Sequence, residues 1–364
     1  MQRKIAWAAA ILLGLVLIGG GIATQPQVQD WLIGKGVDRL VSQQSFADMA
    51  DDQLQVVICG TSPPPPSKTR AKTCTLVIAG NRAFIVDTGP GSANNLSRWR
   101  FPMSRVAGVL FTHFHSDHIG DLGEFRMLTW VAGRQAPLPV YGPTGVERLV
   151  DGINAAYAQD DSYRGPEHHL PIAAAPLEAR PFGLATPEER RTHQARKVIL
   201  EEAGLKITAF QVEHEPVYPA VGYRFDYKGR SVLISGDTIY SRNLLRHAQG
   251  VDLLIHEGQS DEGRKVMVAA LQRAGDAKLA KVISQVGNYH ATPVQVARLA
   301  REAKAGLLVF NHMGPIPPDN LLTKKLFVRG ISSELPNDKW LLADDGLKLT
   351  LPAGSKEIRR TSLD

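Results

Sequence analysis

The period of apolar and polar positions changes twice along this chain. From Ile5 to Ala23 run 19 residues with no charge and no strongly polar side chain, behind an opening that carries Arg3 and Lys4. About 20 apolar residues span a bilayer, and a basic flank stays on the cytoplasmic side. Residues 1–23 are therefore expected to form a transmembrane anchor or a signal peptide, with the rest of the chain exported. The stretch exceeds the roughly 7–15 apolar residues of a cleaved signal, which favours an uncleaved anchor, although Gly21 and Ala23 offer a small-x-small cleavage pattern. Residues 24–52 read as a connector with one weakly amphipathic helix, on which Val28, Trp31, Leu32, Leu40 and Val41 share a face.

From Leu54 the pattern shortens to β-rich runs. Leu54–Ile58, Thr75–Ala79 and Ala83–Val86 predict an antiparallel meander, with Gly80-Asn81 as the last turn. Ser62–Ser67 includes four consecutive prolines and predicts an extended loop. Val106–Thr112 predicts a buried strand, and the residues after Asp117 read as helical. Residues 143–203 lose this regularity after a helix around Val146–Ala158, and their prolines and charges predict a surface insertion. Strands follow at Leu205–Val212, Val221–Tyr227, Ser231–Ser235, Asp252–Ile255 and Leu307–Asn311, with a helix over Pro293–Ala303. Leu347–Leu351 is expected to close a sheet edge, and 355–364 to be a tail. Meanders alternating with helices predict an α+β domain of packed sheets covered by helices, spanning 53–354.

Composition narrows the class. With 43% hydrophobic and 21% charged residues over 364 positions, disordered, collagen-like and disulfide-scaffold chains are excluded. The net charge of +6 suits an anionic partner, yet no block of five like charges marks a binding stripe. The two cysteines, Cys59 and Cys74, flank the proline loop, and their spacing leaves open whether they pair.

The chemistry concentrates at Thr112-His113-Phe114-His115-Ser116-Asp117-His118. In an extended segment residues i and i+2 point to one side, so His113 and His115 can hold one metal ion together. Asp117 and His118, after the chain turns, can hold a second. One loop supplies too few ligands, and His214, Asp237 and His312 each stand just beyond an apolar strand, where a sheet edge recruits polar groups.

With Asp87 in Val86-Asp87-Thr88-Gly89, the His113–His118 cluster, His214, Asp237 and His312 in this order, the chain resembles the metallo-β-lactamase fold superfamily. Within it the match is to the ribonuclease Z-like branch of arylsulfatase and phosphodiesterase type, from Leu54 to Leu351. The resemblance implies a four-layer αββα sandwich and two metal ions. His113, His115 and His214 would hold the first, Asp117, His118 and His312 the second, with Asp237 bridging and Asp87 steadying the ligand loop. Ile255-His256-Glu257-Gly258 resembles the branch's His-Glu-Ala-Thr segment with its end altered, and Tyr289-His290-Ala291-Thr292 resembles its His-x-Thr loop. His290 is accordingly expected to donate a proton near the scissile group, oriented by Glu257, while His256 is structural. Nitrogen and oxygen donors without thiolate suit two zinc ions, with manganese and iron left open.

The implied reaction is hydrolysis of a small anionic ester, a phosphodiester or sulfate ester, by a metal-bridging hydroxide that Asp117 orients. Members of the branch that process tRNA carry a long arm between the positions matching His214 and Asp237. Here 22 residues, 215 to 236, separate them, so tRNA is not the expected substrate. A lactonase and a ribonuclease Z-type endoribonuclease are the enzymatic alternatives. A non-catalytic metal-binding membrane protein is the third, and the complete ligand set argues against it. Dimers are common in the family, which leaves a homodimer open. An anchored enzyme would sit in the inner membrane facing the periplasm, and one with a cleaved signal would be secreted.

Overall fold

The computed structural model describes residues 24–42, 46, 49, 52–184 and 194–363. It divides into two units, Met1–Ser45 and Phe46–Asp364. In the first unit α1 spans Pro26–Ser42 and leaves Trp31, Leu32, Ile33 and Val37 exposed. The transmembrane or signal helix expected at 1–23 lies outside the described residues. Among the described residues no helix is long and apolar enough to cross a membrane.

The second unit is built from strands that are apolar on both faces. Along β1 (Gln53–Gly60) the side chains of Leu54, Val56 and Ile58 enter one core and those of Val57 and Cys59 another. Such a strand needs cover on two sides, and it receives a second sheet on one and helices on the other. The first sheet continues through β2 (Cys74–Ala79), β3 (Arg82–Val86), β4 (Val106–Leu110), β5 (Leu138–Pro143) and β6 (Leu177–Phe182). The second holds β7 (Arg196–Glu202), β8 (Leu205–Gln211), β9 (Val221–Tyr227), β10 (Arg230–Ile234), β11 (Leu253–Gln259), β12 (Leu307–Gly314) and β13 (Trp340–Leu342). Strands β14 (Leu347–Pro352) and β15 (Arg359–Ser362) extend the first sheet beyond β1.

Between the sheets pack Val77, Phe84, Tyr223, Phe225, Ile255 and Val309. Outside the first sheet lie α2 (Ser92–Arg98), α3 (Ser116–Ile119), α4 (Leu122–Val131) and α5 (Val146–His168), which contribute Leu96, Leu122, Phe125, Val146 and Val150 to a second core. Against the second sheet stand α6 (Arg242–His247), α9 (Pro293–Glu302) and α10 (Leu321–Phe327), while α7 (Asp261–Arg273) and α8 (Ala277–Val286) pack on each other. Helix α9 starts where the sequence marks a start. Pro293 is at its first position, and Thr292 and Gln295 cap each other's backbone reciprocally. Its Val296, Ala297, Leu299 and Ala300 then reach Leu308 and Phe310 of the sheet.

Three regions depart from the sequence reading. Within 143–203, expected as a surface insertion, the described residues supply α5, which runs on to His168, and the edge strands β6 and β7 of the two sheets. The segment's period was hidden because β7 is an edge strand whose Arg196, Lys197, Glu201 and Glu202 are exposed. The expected tail contains β15, which pairs with β14 and takes over the sheet edge. Helices α7 and α8 fill the interval between β11 and α9, where no element was expected. Cys59 and Cys74 form a disulfide at the base of the proline loop.

The topology decides where chemistry gathers. β3 and β4 are parallel, as are β10, β11 and β12, so their carboxyl ends open at the same edge of the two sheets.

Candidate metal centre

Each chemical group enters from the end of a strand. The chain leaving β4 stays extended through His115, at φ −65° and ψ 149°, then turns at once into α3, which buries Asp117 and His118. His214 follows β8, Asp237 follows β10, and His312 stands within β12 at a positive φ of 44°. Among the described residues three groups could hold a metal ion. The first is His113, His115, His214 and Asp237, the second Asp117, His118 and His312, and the third Asp237, His290 and His312.

One oxygen sits at the junction. Asp237 Oδ2 lies 3.3 Å from His118 Nε2, 3.6 Å from His312 Nε2, 3.8 Å from His113 Nε2 and 3.9 Å from His214 Nε2. His113 Nε2 and His115 Nδ1 face each other at 2.9 Å, and Asp117 Oδ2 lies 3.1 Å from His312 Nε2. The buried His214 Nε2 has no hydrogen-bond partner. Imidazole nitrogens and carboxylate oxygens converging in a buried site, with His118 Nε2 as well as His214 Nε2 left without a hydrogen-bond partner, are the donor set that a pair of divalent ions would fill.

The groups behind these nitrogens set their tautomers. His214 Nδ1 lies 2.8 Å from the Tyr289 carbonyl, which can only accept, so Nδ1 carries the proton and Nε2 is free to ligate. His118 Nδ1 is 2.8 Å from Asp87 Oδ2, and the other oxygen of Asp87 accepts from the Thr112 backbone N–H at 2.9 Å. The Thr112 hydroxyl donates to Asp87 Oδ2 at 2.8 Å and lies 3.1 Å from His113 Nδ1. Asp87 thus steers two imidazoles, one directly and one through Thr112, from a backbone held at φ +60°.

Burial lowers His214 to about 4 and, aided by the neighbouring His118, holds His113 well below the usual imidazole range. Burial alone would raise Asp117, but its hydrogen bond to His312 and the charge on His118 outweigh this and bring it to about 2. Asp117 is therefore an anion at neutral pH, and His113 and His214 are neutral donors.

His290 and Glu257 complete the edge. His290 Nδ1 lies 3.2 Å from Glu257 Oε1, which also accepts from the Ala291 N–H at 3.0 Å. The same carboxylate oxygen lies 3.4 Å from the Thr238 N–H, one residue past Asp237. His256 is wholly buried with its Nδ1 turned to the Glu257 carbonyl, and it joins none of the three metal-capable groups. Sequence reasoning missed Thr112 and the Tyr289 carbonyl as supports. It also missed Gly236, whose φ of +62° and approach to Val221 and Thr112 leave no room for a side chain beside Asp237.

The centre opens into a cleft of about 610 Å³ that reaches His115, Asp117, Asp237, His290 and His312. Pro63–Pro66 form one wall, and α7 and α8 form the other. Among the described residues none of 143–203 lines it.

Residues 82–313 match the beta-lactamase superfamily domain, so the chain belongs to that superfamily and is a metal-dependent hydrolase acting on ester bonds. A ribonuclease Z of Mycobacterium bovis (strain BCG / Pasteur 1173P2) is 31% identical over 265 residues, covering 72% of this chain and 86% of the relative. A ribonuclease Z of Mycobacterium avium (strain 104) is 32% identical with the same coverage. Among solved structures, human tRNase Z, short form, superposes with a TM-score of 0.56 at 19% identity, covering 82% of this chain and 99% of that one. A diphosphatase from the PhnP family gives 0.54 at 18%, covering 82% and 97%. These last two likenesses concern the fold. The expectation of an exported, inner-membrane-anchored enzyme is corrected here. It rested on residues 5–23 alone, and neither the described helices nor the relatives named ribonuclease Z carry it.

Proposed function

We propose that the protein hydrolyses a small phosphodiester at a two-metal centre, with zinc in both positions. The observation that carries this reading is the placement of Asp237 Oδ2 within 3.9 Å of four imidazole nitrogens from both ligand groups. A carboxylate so placed could serve both ligand groups, and a pair of divalent ions, when bound, would supply Lewis-acid activation for displacement at phosphorus. His113, His115 and His214 would hold one ion, and Asp117, His118 and His312 the other. Asp117, anionic and facing the cleft, orients the attacking oxygen. His290, held by Glu257, donates a proton to the leaving oxygen.

The shortness of the chain between His214 and Asp237 supports a small substrate. That interval is spent on β9 and β10, which lie inside the second sheet, and no protruding arm remains. A second reading, a ribonuclease Z-type endoribonuclease, is favoured by the relatives of that name. Side-by-side assays of the zinc-loaded protein on bis(p-nitrophenyl) phosphate, p-nitrophenyl sulfate, a lactone and a precursor tRNA separate the readings, with Asp237→Ala as control. Cleavage of the diester alone, lost in the control, supports the proposal. Cleavage of the sulfate, the lactone or the tRNA without the diester overturns it.

A further inference from the structure

The cleft beside the metal centre has an unusual lining for a site that receives an anion. The chain carries 42 Lys and Arg, yet among the described residues none that lines the cleft is one of them. Ser116, Gln259 and Tyr289 add neutral polar groups near the ligands, and the wall beyond them is hydrocarbon: Met267 and Leu271 from α7, and Leu279, Val282, Ile283 and Val286 from α8. Helix α8 buries only Ala280 and Ile283, while Leu279 and Val282 remain 43% and 53% exposed. An amphipathic helix ordinarily turns such residues inward, whereas here they border the reaction site.

The facing wall is fixed. Lys72 Nζ donates to the Pro63 carbonyl at 2.7 Å and also to the Pro65 carbonyl, so its charge is spent on holding the proline loop. The disulfide between Cys59 and Cys74 ties the base of the same loop. Proline rings on one side and aliphatic side chains on the other make a slot whose shape exists before anything binds.

Resting on the phosphodiester reading, we infer that one ester substituent of the substrate is an apolar group, alkyl or aryl, seated between Pro63–Pro66 and the α7–α8 wall. Among the described residues the lining offers no cation to pair with an anionic group beyond the phosphoryl group at the metal ligands. A polynucleotide would bring further phosphates along the cleft, and those are bound by Lys and Arg contacts that this lining does not offer. Each methylene placed in the slot strengthens binding by about fourfold, the equivalent of about 0.8 kcal/mol.

The test uses the zinc-loaded full chain and two series of compounds. Affinity is read by calorimetry on non-hydrolysable O-alkyl methylphosphonates from methyl to butyl. Turnover is read on p-nitrophenyl phosphates carrying methyl, butyl, phenyl or thymidine 5′ substituents. Affinity is expected to climb by about fourfold per methylene, and the butyl and phenyl diesters to exceed the methyl and thymidine diesters in kcat/KM. In Leu279→Asn and Val282→Asn, whose side chains are already half in solvent, the climb with chain length is expected to flatten. An affinity independent of chain length, or a preference for the thymidine diester, overturns the inference even if diesters are hydrolysed. Phosphonate binding that climbs with chain length while no diester is cleaved leaves the apolar slot standing and overturns the phosphodiesterase reading instead.

Discussion

Asp87 shows how much of this site rests on one side chain that need not touch a metal ion. Its two oxygens take the Thr112 N–H, the Thr112 hydroxyl and the His118 Nδ1, and the backbone accepts a positive φ to place them. An amide at this position keeps the volume but offers one acceptor oxygen where three bonds converge. Asp87→Asn is expected to fold and to lose about 10–100-fold in metal affinity, read by competition with a chromophoric chelator. His290 is a different case, because it touches Glu257 and faces the cleft. His290→Ala is expected to lower kcat by about 10²–10⁴-fold while metal per chain and KM hold steady. A change in KM alone would make it a substrate contact and take the proton-donating role from it. Asp87 and His290 were legible through the resemblance of their motifs to the family's, and His214, Asp237 and His312 because each stands just past an apolar run. Thr112 and the Tyr289 carbonyl formed no such pattern, since a threonine closing a strand or a main-chain oxygen looks the same with or without a histidine behind it.

Among the elements, the meander and the parallel strands leading to the site were legible as apolar runs of the right length, and α9 by its Thr-Pro start. Strand β7 was not, because its charged residues face solvent, and α7 and α8 were not, because their apolar residues serve the cleft wall. The turn after β10 is the most demanding joint. Gly236 has a φ of +62°, and a Cβ there would come 2.6 Å from the Val221 carbonyl oxygen and 2.9 Å from Thr112 Cβ. The same turn delivers Asp237, so strain at Gly236 reaches the junction of both ligand groups. Gly236→Val is expected to cost about 1–3 kcal/mol from backbone conformation alone, with more from overlap, as read by urea unfolding. It is also expected to lower metal content, because relieving the clash moves Asp237. Full metal content in a destabilised variant would show that the turn supports the fold without positioning the ligand.

In the whole of the second unit, the metal centre is where the two sheets are joined by polar groups. His113, His115, Asp117 and His118 belong to the first sheet's β4 edge, and His214, Asp237 and His312 to the second. Packed sheets covered by helices were legible from meanders alternating with helices, and the four-layer order from the resemblance. The inward-facing residues of both sheets already make an apolar core, so the sandwich does not need the ions to fold. Without them, however, the edge leaves carboxylates and imidazoles confined together, with His214 Nε2 unsatisfied. Ions that bind the folded chain and not the unfolded one stabilise it by about 4 kcal/mol at a free concentration a thousand times Kd. Exhaustive chelation is therefore expected to lower Tm by roughly 10 °C while leaving the far-ultraviolet circular dichroism unchanged. Adding zinc back should restore the lost stability at two ions per chain. Asp237→Ala, already lacking the junction, should melt at the same temperature with or without chelator. If chelation removes the metal and Tm does not move, the ions contribute nothing to holding the two sheets together. A loss of far-ultraviolet signal on chelation would mean instead that the core between the sheets is insufficient by itself.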